Sequence, residues 1–153
     1  MATRKVYIGR RREVEGYVCI PFDRNDLKSV LNLPFKNCAI GEVIIENVLE
    51  YIPPEQMTEA INEWRRVIAL GGRFLILYAD VVRAAFLYQR KAISFDQLQE
   101  AMRPEYRTAL CYDKLESLLV LRYPEIHEEF GFPFNKKKKL WNIVLSATKG
   151  RLG

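Results

Sequence analysis

The stretch from Glu42 to Ala79 constrains the fold more than any other part of the chain. Glu42 to Val48 (EVIIENV) is a Val/Ile-rich run of the kind buried on both faces of a parallel sheet. Pro53 and Pro54 then pre-set the start of a helix. Met57, Ala60, Ile61, Trp64, Val67 and Ile68 recur at helical spacing and form one apolar face. Glu55, Glu59, Glu63, Arg65 and Arg66 fall mostly on the other face, acids early and bases late, as the helix dipole favours. Gly71-Gly72 is predicted to stop this helix, with Gly71 as its left-handed cap. Arg73 to Ala79 (RFLILYA) is a second continuous apolar strand. Strand, helix and strand in this order make a βαβ unit, which commits the chain to a parallel sheet.

The remaining segments extend that sheet. Lys5 to Ile8 and Tyr17 to Ile20 read as short strands, and the charged link Gly9 to Gly16 is too short for a full helix. Asn25 or Asp26 can cap a helical turn reaching Leu31. Val81 to Arg90 and Ser94 to Met102 are helical, the second opening on the Ser-x-x-Gln spacing of a capping box. Asp113 is expected to cap a helix from Lys114 to Leu121. Ile126 to Phe130 and Trp141 to Ala147 read as two closing strands, one of them antiparallel. With 153 residues and no composition break, a single domain over 1–153 is expected. The fold class is therefore α/β: a Rossmann-like, mostly parallel sheet with helices on both faces, a C-terminal antiparallel strand and a shortened first βα unit.

Charge and cysteine usage narrow the chemistry. Lys and Arg outnumber Asp and Glu by 24 to 19, and the surplus gathers in Arg4-Lys5, Arg10-Arg11-Arg12 and Lys136-Lys137-Lys138-Lys139. Such clusters attract phosphates, of nucleic acid or of a phosphorylated substrate, and equally serve as solvated turns. Cys19, Cys38 and Cys111 are odd in number and far apart, which suits neither a disulfide scaffold nor a zinc site; buried free thiols are expected. His127 is the only histidine, and no Ser or Cys stands in a nucleophile context, so metal and triad chemistry are disfavoured. No apolar run reaches membrane-spanning length and no signal-peptide pattern opens the chain, so a cytoplasmic protein without a membrane partner is expected.

Several residues in order carry a resemblance. Leu33-Pro34-Phe35, Glu42-Val43-Ile44-Ile45, Val48-Leu49-Glu50-Tyr51-Ile52 and Glu63-Trp64-Arg65-Arg66-Val67-Ile68-Ala69-Leu70-Gly71-Gly72-Arg73-Phe74 are similar to a run in class I, Rossmann-like S-adenosylmethionine-dependent methyltransferases. In that family the run carries the fourth strand, its helix and the fifth strand. Val6-Tyr7-Ile8-Gly9, Gly16-Tyr17-Val18 and the tail Trp141 to Lys149 resemble the family's first strands and its last.

The resemblance implies S-adenosylmethionine as cofactor, no metal, and Gly9, Asp23, Asp26, Glu46 and Asn47 around the cofactor. It also marks departures. Arg10-Arg11-Arg12 replace the glycines expected after Gly9. Pro21 stands where a ribose-binding acid belongs, leaving Asp23 as a substitute, and Tyr51 replaces the histidine that usually follows Glu50. Two functions follow as expectations. One is methyl transfer to an unidentified acceptor. The other is a methyltransferase-fold module without activity, binding nucleic acid or a protein partner through Arg10, Arg11, Arg12 and Lys136, Lys137, Lys138 and Lys139; self-association is a further option.

Overall fold

The computed structural model describes residues 4–119, 121–127 and 139–149. Six strands form one sheet: β1 (Arg4–Gly9), β2 (Val18–Pro21), β3 (Ile40–Glu46), β4 (Ile68–Ala79), β5 (Leu121–His127) and β6 (Asn142–Lys149). Their spatial order is β2-β1-β3-β4-β6-β5. β1 pairs in parallel with β2 and β3, β3 with β4, and only β6 runs antiparallel to its neighbours β4 and β5. The helices are α1 (Lys28–Leu31), α2 (Pro54–Val67), α3 (Val81–Gln89), α4 (Phe95–Ala101) and α5 (Tyr112–Leu119). This is the Rossmann-like α/β architecture expected, and residues 10–17 join β1 to β2 without a helix.

Strand alternation sorts the core into two faces. Val6, Ile8, Val43, Ile45, Phe74 and Ile76 pack against α1, α2 and α5 through Val30, Met57, Ile61, Trp64 and Leu115. Trp64 is fully buried, and its indole Nε1 donates to the Val30 carbonyl at 2.9 Å, so the one polar atom that burial would strand is satisfied. Tyr7, Ile44, Leu75, Leu77 and Val144 point to the other face, where Val14 and Tyr17 of the β1–β2 link lie against them. Beyond the sheet's carboxyl edge Ala79 packs with Ala84, Ile93, Ala101 and Trp141, which seats α3 and α4.

Several expectations are corrected. α2 ends at Val67 rather than running to Gly71, because Ile68 takes extended geometry (φ −81°, ψ 132°) and pairs with Ile40. The next pair along is Glu42 with Arg73, so residues 69–72 form a bulge in β4. Gly71 does adopt positive φ (77°), but inside this bulge and not as a helix cap. α5 ends at Leu119 and β5 begins at Leu121, so the helix read to Leu121 stops earlier; of the strand expected over Ile126 to Phe130, Ile126 and His127 fall in β5 and the rest lies outside the described residues. The start of α5 is fixed not by Asp113 but by Asp80, whose Oδ2 accepts from the Tyr112 amide at 3.0 Å. Cys38 is exposed in a left-handed turn (φ 55°) instead of buried, and Cys19 and Cys111 are half-buried. The capping box at Ser94 and Gln97 is present.

Candidate functional site

The chain leaves β1 outward to β2 and returns across it to β3, so the carboxyl ends of β1 and β3 flank the point where the sheet's winding reverses. Ligands of doubly wound sheets sit in the crevice this reversal opens. Two adjoining clefts are found there. One, of about 590 Å³, lies beside Gly9 and Pro21 and is walled by Phe22, Asp23 and Arg24. The other, of about 360 Å³, lies over Glu46 and Asn47, beside Tyr7, Tyr106 and Trp141. Arg10, Tyr51 and Arg103 line both and form the partition.

The partition is an aromatic chain with a cation on it. Tyr51, 3% exposed, meets Phe22 at 5.7 Å between ring centroids and Tyr106 edge-on at 5.2 Å. Arg10 lies over the Tyr51 ring at 5.5 Å and donates to its hydroxyl at 2.8 Å. Arg10 thus makes a cation–π contact and a neutral-type hydrogen bond with one ring, and its charge also acts on the buried Glu50 behind it.

Glu46 closes β3, and Asn47 follows in the left-handed conformation (φ 51°), its amide donating to the Leu77 carbonyl. Glu46 accepts from the Tyr7 hydroxyl at 2.7 Å and pairs with Arg11 Nε at 3.2 Å. Burial and the neighbouring carboxylate hold the Tyr7 phenol well above its usual range, so it stays a proton donor to Glu46. Asn47 Nδ2 donates to Glu50 Oε2 at 3.1 Å. Glu50 is 1% exposed and its Oε1 has no hydrogen-bond partner among the described residues; desolvation pushes its carboxyl up to about 7. Burial, with the Glu50 charge adding to it, also pushes the Tyr106 phenol up to about 12.

The structure brings four of the five expected cofactor residues to the clefts. Gly9 and Asp23 line one, Glu46 and Asn47 the other. Asp26 lines neither; it is exposed, and its Oδ1 accepts from the Lys28 amide at 3.1 Å in the turn before α1. Asp23 Oδ1 similarly accepts from the Asn25 amide at 2.9 Å, leaving Oδ2 without a hydrogen bond among the described residues. Gly9 serves a packing purpose: a Cβ there would lie 2.4 Å from the Tyr7 hydroxyl oxygen. Of the expected basic groups, Arg10, Arg11, Arg12 and Lys139 line the clefts, whereas Lys136, Lys137 and Lys138 lie outside the described residues. Arg103, Tyr106 and Trp141 were not legible as site residues, since only the fold gathers them, whereas Phe22 and Arg24 flank Asp23 and its position was the signal that could have found them.

A bound S-adenosylmethionine fits this donor set. It combines a neutral adenosine with a sulfonium and an ammonium set against one carboxylate. The cleft beside Gly9 is open and walled in part by Phe22, Asp23 Oδ2 there has no hydrogen bond among the described residues, and the Glu46 carboxylate lines the other cleft; these groups would meet the ribose hydroxyls and the cationic half. Among the described residues no cluster of three or more His, Cys, Asp or Glu is placed to hold a metal ion. No helix among them is long and apolar enough to cross a membrane.

No protein-family model matches the chain, and no curated protein is similar to it in sequence. Solved structures do share its fold. A SAM-dependent methyltransferase from Thermotoga maritima, described as a possible histamine N-methyltransferase, superposes with a TM-score of 0.59 at 14% identity, covering 96% of this chain and 82% of that one. A SAM-dependent methyltransferase from Archaeoglobus fulgidus gives 0.56 at 14% identity, over 97% and 87%. The PH0226 protein of Pyrococcus horikoshii gives 0.54 at 17% identity, over 88% and 60%. The chain has the fold of class I S-adenosylmethionine-dependent methyltransferases.

Proposed function

We propose that the protein is an S-adenosylmethionine-dependent methyltransferase whose cofactor spans the two clefts. The observation that carries this is the open crevice at the winding reversal of a methyltransferase-fold sheet, with Gly9 and Asp23 at one end and Glu46 and Asn47 at the other. When bound, the cofactor supplies a methyl group already activated on a sulfonium. The residues therefore need only bind, orient and exclude water, and in-line placement of the acceptor accounts for much of the rate.

In this reading Asp23 Oδ2 accepts from the ribose hydroxyls, while the half-buried Phe22 flanks the adenine. Glu46, oriented by the Tyr7 hydroxyl, faces the cationic half. Arg11 is the exchangeable partner of Glu46: its side chain is 29% exposed, so it can leave for solvent when a ligand cation takes its place. Isothermal titration with S-adenosylmethionine tests the reading. Saturable heat that Asp23→Asn reduces at least about tenfold, the loss expected for a hydrogen bond to a charged group, supports it; absence of heat at millimolar ligand defeats it.

A second reading is a module without methyl transfer, binding an anionic partner through the same loops. It is favoured by the three arginines that follow Gly9 and by the Tyr7 hydroxyl standing where a side chain at position 9 would begin, which gives that glycine a packing reason apart from any cofactor. A protein that ignores S-adenosylmethionine yet shifts nucleic acid in a salt-sensitive manner has this second function.

A further inference from the structure

The clefts are ringed by more positive charge than a cofactor of that structure requires. Six cations line them, namely Arg10, Arg11, Arg12, Arg24, Arg103 and Lys139, against the acids Asp23, Glu46, Glu100 and Glu105. The cations come from four separate chain segments: the β1–β2 link, the loop after β2, the loop after α4, and the approach to β6. Their pairing is uneven. Arg11 is spent on Glu46. Arg103 and Lys139 share one oxygen of Glu100, at 3.4 Å and 3.5 Å. Arg10 donates to the Tyr51 hydroxyl and forms no ion pair among the described residues, the buried Glu50 being the acid its charge reaches, and Arg12 and Arg24 are exposed with no ion pair among them.

A single small anion needs one or two such groups. A band that follows two adjoining clefts suits a repeating anion. We infer that the methyl acceptor is a single-stranded nucleic acid, whose phosphates lie along Arg12, Arg24, Arg10 and Arg103 and whose target base enters the cleft between Tyr106 and Trp141. This rests on the methyl-transfer reading for the word acceptor, although the phosphate-binding rim stands on the charge geometry alone. A single strand fits better than a duplex because a base must leave its stack to present any atom inside a cleft, which costs least when no partner strand holds it. The half-buried Tyr106 offers the base a ring of the kind single-strand binders use, while the buried Trp141, with Lys139 over its ring, forms the floor opposite. Arg24 and Arg103 are the specific new members of this surface, since neither belongs to a basic run in the sequence.

Fluorescence anisotropy with a labelled single-stranded oligonucleotide of about 12 nucleotides, in RNA and DNA forms, tests the inference. Three to five phosphate contacts give a log–log salt slope of about −2 to −3.5, hence a loss of about 20- to 100-fold between about 50 mM and 200 mM salt. Arg12→Glu and Arg24→Glu should each weaken binding at least about tenfold without altering the thermal unfolding midpoint, while Lys114→Glu on α5 changes it less than about twofold. No anisotropy change at low salt, or equal effects of all three reversals, overturns the inference. So does competition by inorganic phosphate or a mononucleotide at the same concentration as the oligonucleotide, which marks a small-anion site. Calorimetry with S-adenosylmethionine is run separately. Oligonucleotide binding without cofactor heat removes methyl transfer and keeps the nucleic-acid surface, so the two failures are distinct.

Discussion

Glu50 gives the protein a pH-dependent stability that one substitution can isolate. Its carboxyl is fully enclosed, only Oε2 is hydrogen-bonded by a side chain, and desolvation pushes its pKa from 4.5 up to about 7. Between those values the folded chain keeps a proton that the unfolded chain releases. Stability therefore falls as pH rises through this window and is fully present below about 4.5. A displacement from 4.5 to about 7 corresponds to about 3 kcal/mol lost across the window, at about 1.4 kcal/mol per unit. Glu50→Gln keeps the shape and the bond from Asn47 but cannot ionise. Its amide gains no partner at the Oε1 position, so it pays a constant penalty independent of pH.

Urea unfolding of both proteins from pH 4.5 to 8 should show the difference in stability moving in favour of Glu50→Gln by about 3 kcal/mol, with the change complete by about one unit above 7. A difference that stays constant across the range means that Glu50 is ionised in the folded state throughout. The enclosure of its carboxylate would then not be the dominant influence on it.

Other consequences are equally direct. Trp64→Ala empties a fully buried site and orphans the Val30 carbonyl, so it should cost about 3–5 kcal/mol in chemical denaturation. Gly9→Ala forces the Tyr7 ring aside and should cost about 1–3 kcal/mol, an effect that Tyr7→Ala in the same chain should partly cancel in a double-mutant cycle. Arg11→Ala removes the cation on Glu46, so calorimetry should show tighter S-adenosylmethionine binding, and unchanged or weaker affinity would remove Glu46 from the cofactor's cationic half.

The parts of the fold legible in the sequence were those set by periodicity. The apolar face of α2 and the runs EVIIENV and RFLILYA each announce their element, because burial repeats at the element's own period. What periodicity cannot show is where a boundary falls when strand pairing competes with helix continuation. Ile68 is apolar at a helical position, yet its pairing with Ile40 draws it into β4 and turns Gly71 from a cap into a bulge residue. The site was legible to the extent that strand ends mark it: Gly9, Glu46 and Asn47 lie at the carboxyl edge because β1 and β3 end there. Asp26 misled because an aspartate in a turn has the same appearance whether it faces a ligand or its own backbone. Arg103 and Tyr106 were hidden because their neighbourhood is made by the return of a distant loop to this edge, while Phe22 and Arg24 flank Asp23 and were passed over beside it.

The most direct test of methyl transfer is calorimetric titration of the full chain with S-adenosylmethionine, alongside Asp23→Asn and Glu46→Gln at matched stability. The structure predicts one saturable site per chain, weakened at least about tenfold by either substitution, since each removes a charged hydrogen-bond acceptor from the cofactor's cleft. No heat at millimolar ligand, or binding that both substitutions leave unchanged, would contradict it.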